Sequence, residues 1–163
     1  MGPQPFEEVV RDHGPVVLRV CRALLGPVDA QDAWSDTFVS ALEAYPRLRP
    51  GSDVRAWLVT IAHHKAIDQL RRAARHAVPV GDPPETAVLD SVAHVDDNEL
   101  RAAVQRLPFK QRAAVAHRYL ADLAYADIAV LLDCSEAAAR RSAADGIAAL
   151  RAQVQPASTQ EDR

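Results

Sequence analysis

No stretch of the sequence approaches the roughly 20 consecutive apolar residues that a membrane-spanning helix needs. The first residues, MGPQPFEE, are acidic and have no apolar core, so we expect no signal peptide in them. We therefore expect a cytoplasmic protein without a membrane partner.

Cysteine is scarce, and the common catalytic motifs are missing. Cys21 and Cys134 lie far apart and belong to no CxxC motif, which predicts two reduced, mostly buried thiols. The sequence contains no glycine-rich phosphate loop, GxSxG or HExxH motif. His63 and His64 are adjacent, and neighbouring helical side chains point about 100° apart, so they are poorly placed to chelate one metal ion. We expect no enzymatic activity, no catalytic residue, no metal and no cofactor.

Aromatic residues make up only 5% of the chain, and few β-branched stretches alternate with polar residues, which argues against a β-sheet. Alanine, leucine, arginine and the acidic residues dominate and favour helix. With 163 residues, 48% of them apolar, the chain is long enough for one compact domain or two small ones. The predicted fold class is all-α.

The net charge of −3 is unevenly distributed. Residues 1–46 hold three arginines and seven acids, whereas residues 47–76 hold seven bases and two acids. Residues 77–97 hold five acids and no base. A nucleic-acid partner requires only a local positive surface, so segment 47–76 predicts DNA binding. The acidic segment before it predicts a protein partner.

Apolar spacing predicts helices in the first half of the chain. A short helix over residues 6–13 is interrupted at Gly14-Pro15, and a second helix ends near Leu25. A third helix follows an Asp29 N-cap. Its predicted apolar stripe consists of Trp34, Phe38, Ala41, Leu42 and Tyr45.

A loop over residues 46–52 contains two prolines and a glycine. Ser52 is predicted to cap a long helix that runs to about Arg75. Trp57 is assigned to the core face of this helix, and the outer face is expected to carry Arg55 and either His63 or His64.

Three prolines and a glycine in residues 77–96 predict a linker between two domains, 1–76 and 97–151, with a flexible polar tail at 152–163. In the second domain a helix is predicted from Gln111 to Leu120. Residues 123–150 then predict a helix-turn-helix, with a turn at Asp133 and an N-cap at Ser135. Its expected facing residues are Ile128, Ala129 and Leu132 on the first helix and Ala139, Ala143, Ile147 and Leu150 on the second. An ordinary helical hairpin is the alternative for this segment.

These segments in this order resemble the extracytoplasmic-function sigma factors of the sigma-70 family, over about residues 6–151. The most specific stretch is DVRAWLVTIAHHKAIDQLRR, which is close to the family pattern F-R-A-W-L-x-x-I-A-R-N-x-x-x-D-x-x-R-R. DAQDAWSDTFVSALEAYP resembles the family's polymerase-docking segment. LPFKQRAAVAHRYLADLAYADIAVLLDCSEAAARR resembles its C-terminal segment. The chain departs from the family at His63-His64, where Arg-Asn is usual, and in a last helix with few bases.

The resemblance implies a transcription-initiation factor built from a region 2-like and a region 4-like helix-turn-helix domain. The implied partners are promoter DNA and core RNA polymerase, through the clamp helices of the largest subunit and the flap of the second subunit. An anti-sigma factor is a further partner that the resemblance allows. Residues implied in core-polymerase binding are Asp29, Gln31, Asp32, Ser35 and Asp36. Residues implied in binding the −10 element are Arg47, Arg49, Ser52, Arg55, His63, His64, Lys65, Arg71 and Arg72. Residues implied in binding the −35 element are Ser135, Glu136, Ala138, Arg140 and Arg141.

Two other functions remain open at this point. One is a sigma-like or helix-turn-helix regulator with weak or no initiation activity, although a repressor has no use for an acidic face at residues 29–36. The other is a helical protein-interaction module, against which the arginines near residue 72 argue.

Overall fold

The computed structural model describes residues 2–76 and 95–154, and in these ranges the chain is helical without a strand. This confirms the all-α prediction. Of the predicted linker only residues 95 and 96 are described, and they belong to a helix. None of the helices in the described ranges is long and apolar enough to cross a membrane. The α-helices are α1 (Phe6–Leu25), α2 (Ala30–Ala44), α3 (Val54–His76), α4 (Val95–Arg106), α5 (Phe109–Val115), α6 (Tyr125–Leu132) and α7 (Glu136–Val154).

The predicted break at Gly14-Pro15 is wrong, because α1 is one continuous helix with Pro15 inside it. A proline in a helix interior costs about 3 kcal/mol. Packing on both sides of the proline offsets that cost, since Val9 and Val17 are both fully buried in one core cluster. Trp34 also stabilises α1 next to the proline, because its indole Nε1 donates a hydrogen bond to the Gly14 carbonyl oxygen at 3.0 Å.

The start of α3 also differs from the prediction. The Asp53 carboxylate, and not Ser52, caps the helix by accepting a hydrogen bond from the Ala56 N–H at 3.0 Å. The Ser52 hydroxyl instead donates to the Arg49 carbonyl oxygen at 2.7 Å and closes the preceding loop. The predicted loop itself begins with a 3₁₀ turn over Tyr45–Arg47.

The first domain packs α1, α2 and α3 around an apolar core with aromatic edges. Phe38 is buried on α2, and Trp34 and Trp57 pack partly buried against the same cluster, as predicted. Leu42 contradicts its predicted place on the core stripe, because it is 56% exposed. Ala41 and Tyr45 cover the core at that end of α2, so the stripe is narrower than the sequence pattern indicates.

Both cysteines are free thiols, as predicted. Cys21 is buried in the first domain, and Cys134 is half-buried in the second. Burial raises the pKa of the Cys21 thiol to about 12, so this group stays neutral.

The second domain contains the predicted helix-turn-helix, formed by α6 and α7. Asp133 adopts the left-handed conformation at φ 52°, and the Cys134 N–H donates to the Ala129 carbonyl oxygen at 3.0 Å. The Ser135 hydroxyl oxygen accepts from the Ala138 N–H at 3.1 Å, which confirms the predicted cap. All predicted facing residues are buried except Ile147, which is half-buried.

The helix predicted over Gln111–Leu120 begins two residues earlier and changes from α-helical to π-helical before it ends. It starts at Phe109, and its last turn, Ala116–Leu120, is π-helical. The wider turn ends where the Leu123 N–H donates to the carbonyl oxygen of His117 at 3.0 Å. At the other end of the domain, α7 continues three residues past its predicted end at Arg151.

The two domains share a buried core. Val20 and Leu24 from α1 and Val59 and Ala66 from α3 belong to the same apolar cluster as the second domain's Ile128. The Gln105 amide on α4 donates hydrogen bonds to the carbonyl oxygens of Arg22 and Ala23, at 2.9 and 2.7 Å, near the end of α1. The chain is therefore closed, with its domains packed against each other.

Gly146 lies where α7 crosses α5 closely. A Cβ atom at this position would lie 2.6 Å from Val115 Cγ2 and 3.3 Å from the Gln111 carbonyl oxygen. Helix propensity alone favours alanine over glycine by about 1 kcal/mol. The close approach of α5 reverses that preference.

We expect Gly146→Ala to lower the free energy of unfolding by about 1–3 kcal/mol, because the new methyl group overpacks the α5–α7 contact. Urea denaturation measures the change. Ala144→Gly, at an exposed position on the same helix, is the control and should cost about 1 kcal/mol through propensity alone. Stabilisation by Gly146→Ala would show that α5 can move away.

Candidate nucleic-acid and polymerase surfaces

The outward face of α2 is acidic and partly apolar. Each of the predicted docking residues, Asp29, Gln31, Asp32, Ser35 and Asp36, is exposed. Within the described ranges none of the three carboxylates forms an ion pair. The face is therefore available to a partner.

Two apolar side chains extend this face and were missed by sequence reasoning. Val39 is 60% exposed and Leu42 is 56% exposed. They follow Ser35 by four and seven residues, which places them on the same side of the helix. That spacing was readable in the sequence, but Leu42 also fits a core stripe. We call Asp32, Ser35, Asp36, Val39 and Leu42 the α2 face.

Exposed arginines lie at both ends of α3, in the loop before the helix and in its last turns. The guanidinium groups of Arg47 and Arg49 in the loop and of Arg71 and Arg72 on α3 are exposed. In the part of the chain that the structure describes, none of these four arginines is ion-paired. Of the other residues predicted to bind the −10 element, His64 is exposed, whereas Ser52 and Lys65 are half-buried.

Two predicted −10 residues are turned toward the second domain. Arg55 forms an ion pair with Asp122 across the domain boundary, at 3.8 Å between Nη2 and Oδ2. His63 is fully buried, so its candidate place on the outer face of α3 is wrong, and His64 is the exposed one of the two. Their role in DNA binding stays a prediction that requires the domains to separate.

His63 pairs with a histidine of the second domain that sequence reasoning did not single out. Its Nδ1 lies 2.8 Å from Nε2 of His117, and both rings are fully buried. Burial, with the neighbouring His64 charge as a smaller cause, lowers the pKa of His63 to about 4. Burial and the charge of His63 lower the pKa of His117 to about 3.

The predicted recognition helix α7 presents an organised arginine. Arg140 Nη2 donates to Glu136 Oε1 at 2.6 Å, and its guanidinium lies 4.8 Å from the Tyr125 ring centroid. Arg118 approaches the same ring at 4.9 Å. Arg141 is exposed and outside any ion pair of the described residues. Ser135 is exposed but uses its hydroxyl as the helix cap, and Ala138 is half-buried.

A two-domain helical chain with a helix-turn-helix, exposed arginines and a separate exposed acidic face is typical of a DNA-binding transcription factor. Its sequence matches the Sigma-70 region 2 family over residues 9–76 and the Sigma-70, region 4 family over residues 97–150. The chain belongs to the extracytoplasmic-function sigma factors of the sigma-70 family, and it is a transcription-initiation factor.

Individual relatives agree with this assignment. The chain is 32% identical over 132 residues to a probable RNA polymerase sigma-C factor of Mycobacterium bovis, covering 78% of this chain and 71% of the relative. It is also 32% identical over 152 residues to the RNA polymerase sigma factor CarQ of Myxococcus xanthus, covering 90% and 87%.

Solved structures share the fold at lower identity. The sigma factor RpoE of Bartonella quintana, crystallised with the anti-sigma factor NepR, has a TM-score of 0.73 at 20% identity, with 91% of this chain and 96% of that chain covered. CnrH, in complex with the cytosolic domain of CnrY, has a TM-score of 0.65 at 24% identity, with 90% and 85% covered. These likenesses concern the fold.

We expect Tyr125→Leu to lower the free energy of unfolding by about 1–2 kcal/mol, since it removes the ring that Arg118 and Arg140 both approach and each exposed cation–π contact is worth about 0.5–1 kcal/mol. Chemical denaturation measures this. Tyr125→Phe keeps the ring and should stay within about 0.5 kcal/mol of the parent. Equal losses in both variants would assign the effect to the hydroxyl group.

Proposed function

We propose that this sigma factor docks on core RNA polymerase through the α2 face, opens and holds the −10 element with the loop 46–52 and α3, and contacts the −35 element with α7. The observation that supports the proposal most strongly is the separation of charge on the surface. The acids of the α2 face and the arginines of the loop and α3 are all exposed, and none of them neutralises another within the described residues.

The α2 face has the composition of a protein-binding surface. Val39 and Leu42 supply exposed apolar area beside Asp32 and Asp36, and such mixed patches mark docking sites on soluble proteins. The acids would repel DNA, so the partner is a basic, partly apolar protein surface. Core polymerase, through the clamp helices of its largest subunit, fits that description under the family assignment.

The loop and α3 suit opened promoter strands. Arg47 and Arg49 lie in a loop that a 3₁₀ turn and a left-handed Gly51 hold compact, and Arg71 and Arg72 extend the positive surface along α3. Cations of this kind hold a phosphate backbone while unstacked bases enter a pocket. Trp57 is half-buried and its ring centroid lies 6.3 Å from that of Tyr45, so we assign it to the core. Opening then depends on binding the separated strand and not on nucleotide hydrolysis by the sigma factor.

The −35 contact is the weaker of the two. Arg140 and Arg141 are the exposed bases near the start of α7, and Asp145 on the same helix is exposed and repels phosphate. Tyr125 and Glu136 hold the Arg140 guanidinium in place, which favours a defined contact over a diffuse one. We propose that α7 orients the promoter and contributes less affinity than the loop and α3.

We propose domain limits of 1–76 and 97–151, joined by the linker 77–96, whose last two residues already belong to α4. The tail is 152–163, and its first three residues extend α7. An anti-sigma factor is a further proposed partner of the chain, since both structural neighbours described above were solved in complexes, one of them named as an anti-sigma complex.

We expect Leu42→Ala to weaken binding to core polymerase about tenfold without changing stability, because Leu42 is exposed in the free protein and becomes buried in the complex. Titration of labelled sigma factor with core enzyme measures the affinity. Leu100→Ala, at another exposed leucine that is 44% accessible, is the matched control and should bind normally. If the double variant Leu42→Ala with Asp32→Lys still bound core polymerase normally, α2 would not be part of the interface.

We expect Arg71→Glu with Arg72→Glu to weaken promoter binding by the assembled holoenzyme and to leave binding to core polymerase unchanged. The slope of log affinity against log salt should become shallower by about 1.4–2, because two phosphate contacts are lost. The control is Arg11→Glu with Arg19→Glu, which makes the same charge change at exposed positions on α1. Loss of core binding by the Arg71→Glu, Arg72→Glu variant would show that these arginines contact core polymerase and not promoter DNA.

A further inference from the structure

The boundary between the two domains is mainly apolar, yet it encloses two imidazoles. His63 on α3 and His117 in the π-helical turn are fully buried and joined by one hydrogen bond at 2.8 Å. The remaining ring nitrogens, His63 Nε2 and His117 Nδ1, are buried without a hydrogen-bond partner among the described groups. The backbone of Leu131 on α6 raises the pKa of His63, but less than burial lowers it. An added proton would therefore create a buried N–H group without a well-formed hydrogen bond.

The surroundings of the pair also disfavour positive charge. On α3, the His64 ring lies 5.8 Å from that of His63. On α5, the Phe109 ring lies 6.1 Å from His63 and carries the Arg112 guanidinium at 5.5 Å from its centroid. Arg118 follows His117 in the chain, and α1 contributes Val20 and Leu24 to the shared core, which bear no charge.

A single carboxylate is part of an ion pair across this boundary within the described residues. It belongs to Asp122, whose side chain is 77% exposed and already paired with Arg55. It is therefore poorly placed to neutralise a buried imidazolium. A proton on either histidine would be a buried charge without a counter-ion, which is costly.

We propose that the His63–His117 hydrogen bond is a proton-sensitive latch that holds the two domains closed, and that mild acid opens the chain by protonating the separated histidines. Opening needs no ligand, because both imidazole rings are exposed to water in the open form. The apolar part of the shared core and the Gln105 hydrogen bonds favour closure at any pH, and the histidine pair makes closure depend on pH.

The sign of the pH dependence of domain closure follows from proton linkage. In the closed form the pKa values of His63 and His117 lie at about 4 and about 3, whereas exposed histidines keep the ordinary value of 6.5. Below pH 6.5 the open form therefore binds protons that the closed form does not bind. Closure is fully favoured above pH 6.5 and is lost as the pH falls toward the closed-form values. Each histidine should raise the ratio of open to closed chains up to about tenfold per pH unit.

The consequence for transcription rests on the proposed function. Closure buries His63 and pairs Arg55 with Asp122, so two residues assigned to the −10 element are unavailable to DNA in the closed chain. Opening the latch releases both of them. His63 is also one of the two positions at which this chain departs from the family's Arg-Asn sequence, so the latch is a property of this chain's own residues.

The test measures the distance between the domains in the full chain by fluorescence energy transfer. Dyes are placed at Glu43→Cys on α2 and Ala148→Cys on α7, both exposed positions, in a Cys134→Ser background. Between about pH 7.5 and about pH 5 we expect energy transfer to fall while helicity, followed by circular dichroism, is retained. Unchanged transfer down to about pH 5, or helicity lost together with transfer, would overturn the proposal.

Two variants isolate the histidine pair. His63→Leu with His117→Leu replaces both partners with apolar groups and should stay closed over the whole pH range. His117→Gln keeps a possible partner for His63 but removes one proton site, so the slope of log open/closed against pH should fall from about two to about one. His76→Gln, at an exposed histidine at the end of α3, is the control and should open like the parent chain.

Opening of the double leucine variant over the parent's pH range, or a parental slope in His117→Gln, would refute the latch. Binding to core polymerase is measured separately. A chain that opens in acid but never binds core enzyme would refute the proposed function and leave the latch standing. A chain that binds core enzyme but never opens in acid would refute the latch and leave the proposed function standing.

Discussion

Helix α1 is buried from two directions, and the arrangement of the whole chain depends on that constraint. Val9 and Val17 pack into the core of the first domain, whereas Val20 and Leu24 pack into the core shared with the second. A helix with two apolar faces cannot satisfy both with α2 and α3 alone. The second domain covers the remaining face, and the hydrogen bonds from Gln105 to the end of α1 fix how it does so.

This packing explains which charged side chains stay available. The acids on α2 and the arginines in the loop and at the far end of α3 take no part in the shared core and remain exposed. Arg55 and His63 lie on the part of α3 that meets the second domain, and they are engaged there with Asp122 and His117. Helix α3 thus has exposed arginines near its C-terminal end, whereas Arg55 and His63 contact the second domain when the two domains are closed.

Local rules predicted the elements that depend on local chemistry. The helix-turn-helix was correct at Asp133 and Ser135, because a left-handed turn residue and a side-chain cap are decided within a few residues. The same rules failed at Pro15, where packing on both sides of the proline outweighs its cost. They failed again at Leu42, since a stripe of apolar residues does not reveal how wide the covered part of a helix is.

The sequence by itself determined the helical class, the helix-turn-helix and the segregation of acids and bases along the chain, because these follow from composition, short-range spacing and the order of charges. It also carried the family resemblance. Only the tertiary structure decided that Gly146 is needed where α5 crosses α7 and that His63 meets His117. These residues are 31 and 54 positions from their partners, and no local pattern specifies which buried surfaces meet over such separations. The choice was made by the shared apolar core, which forms only when both domains are folded.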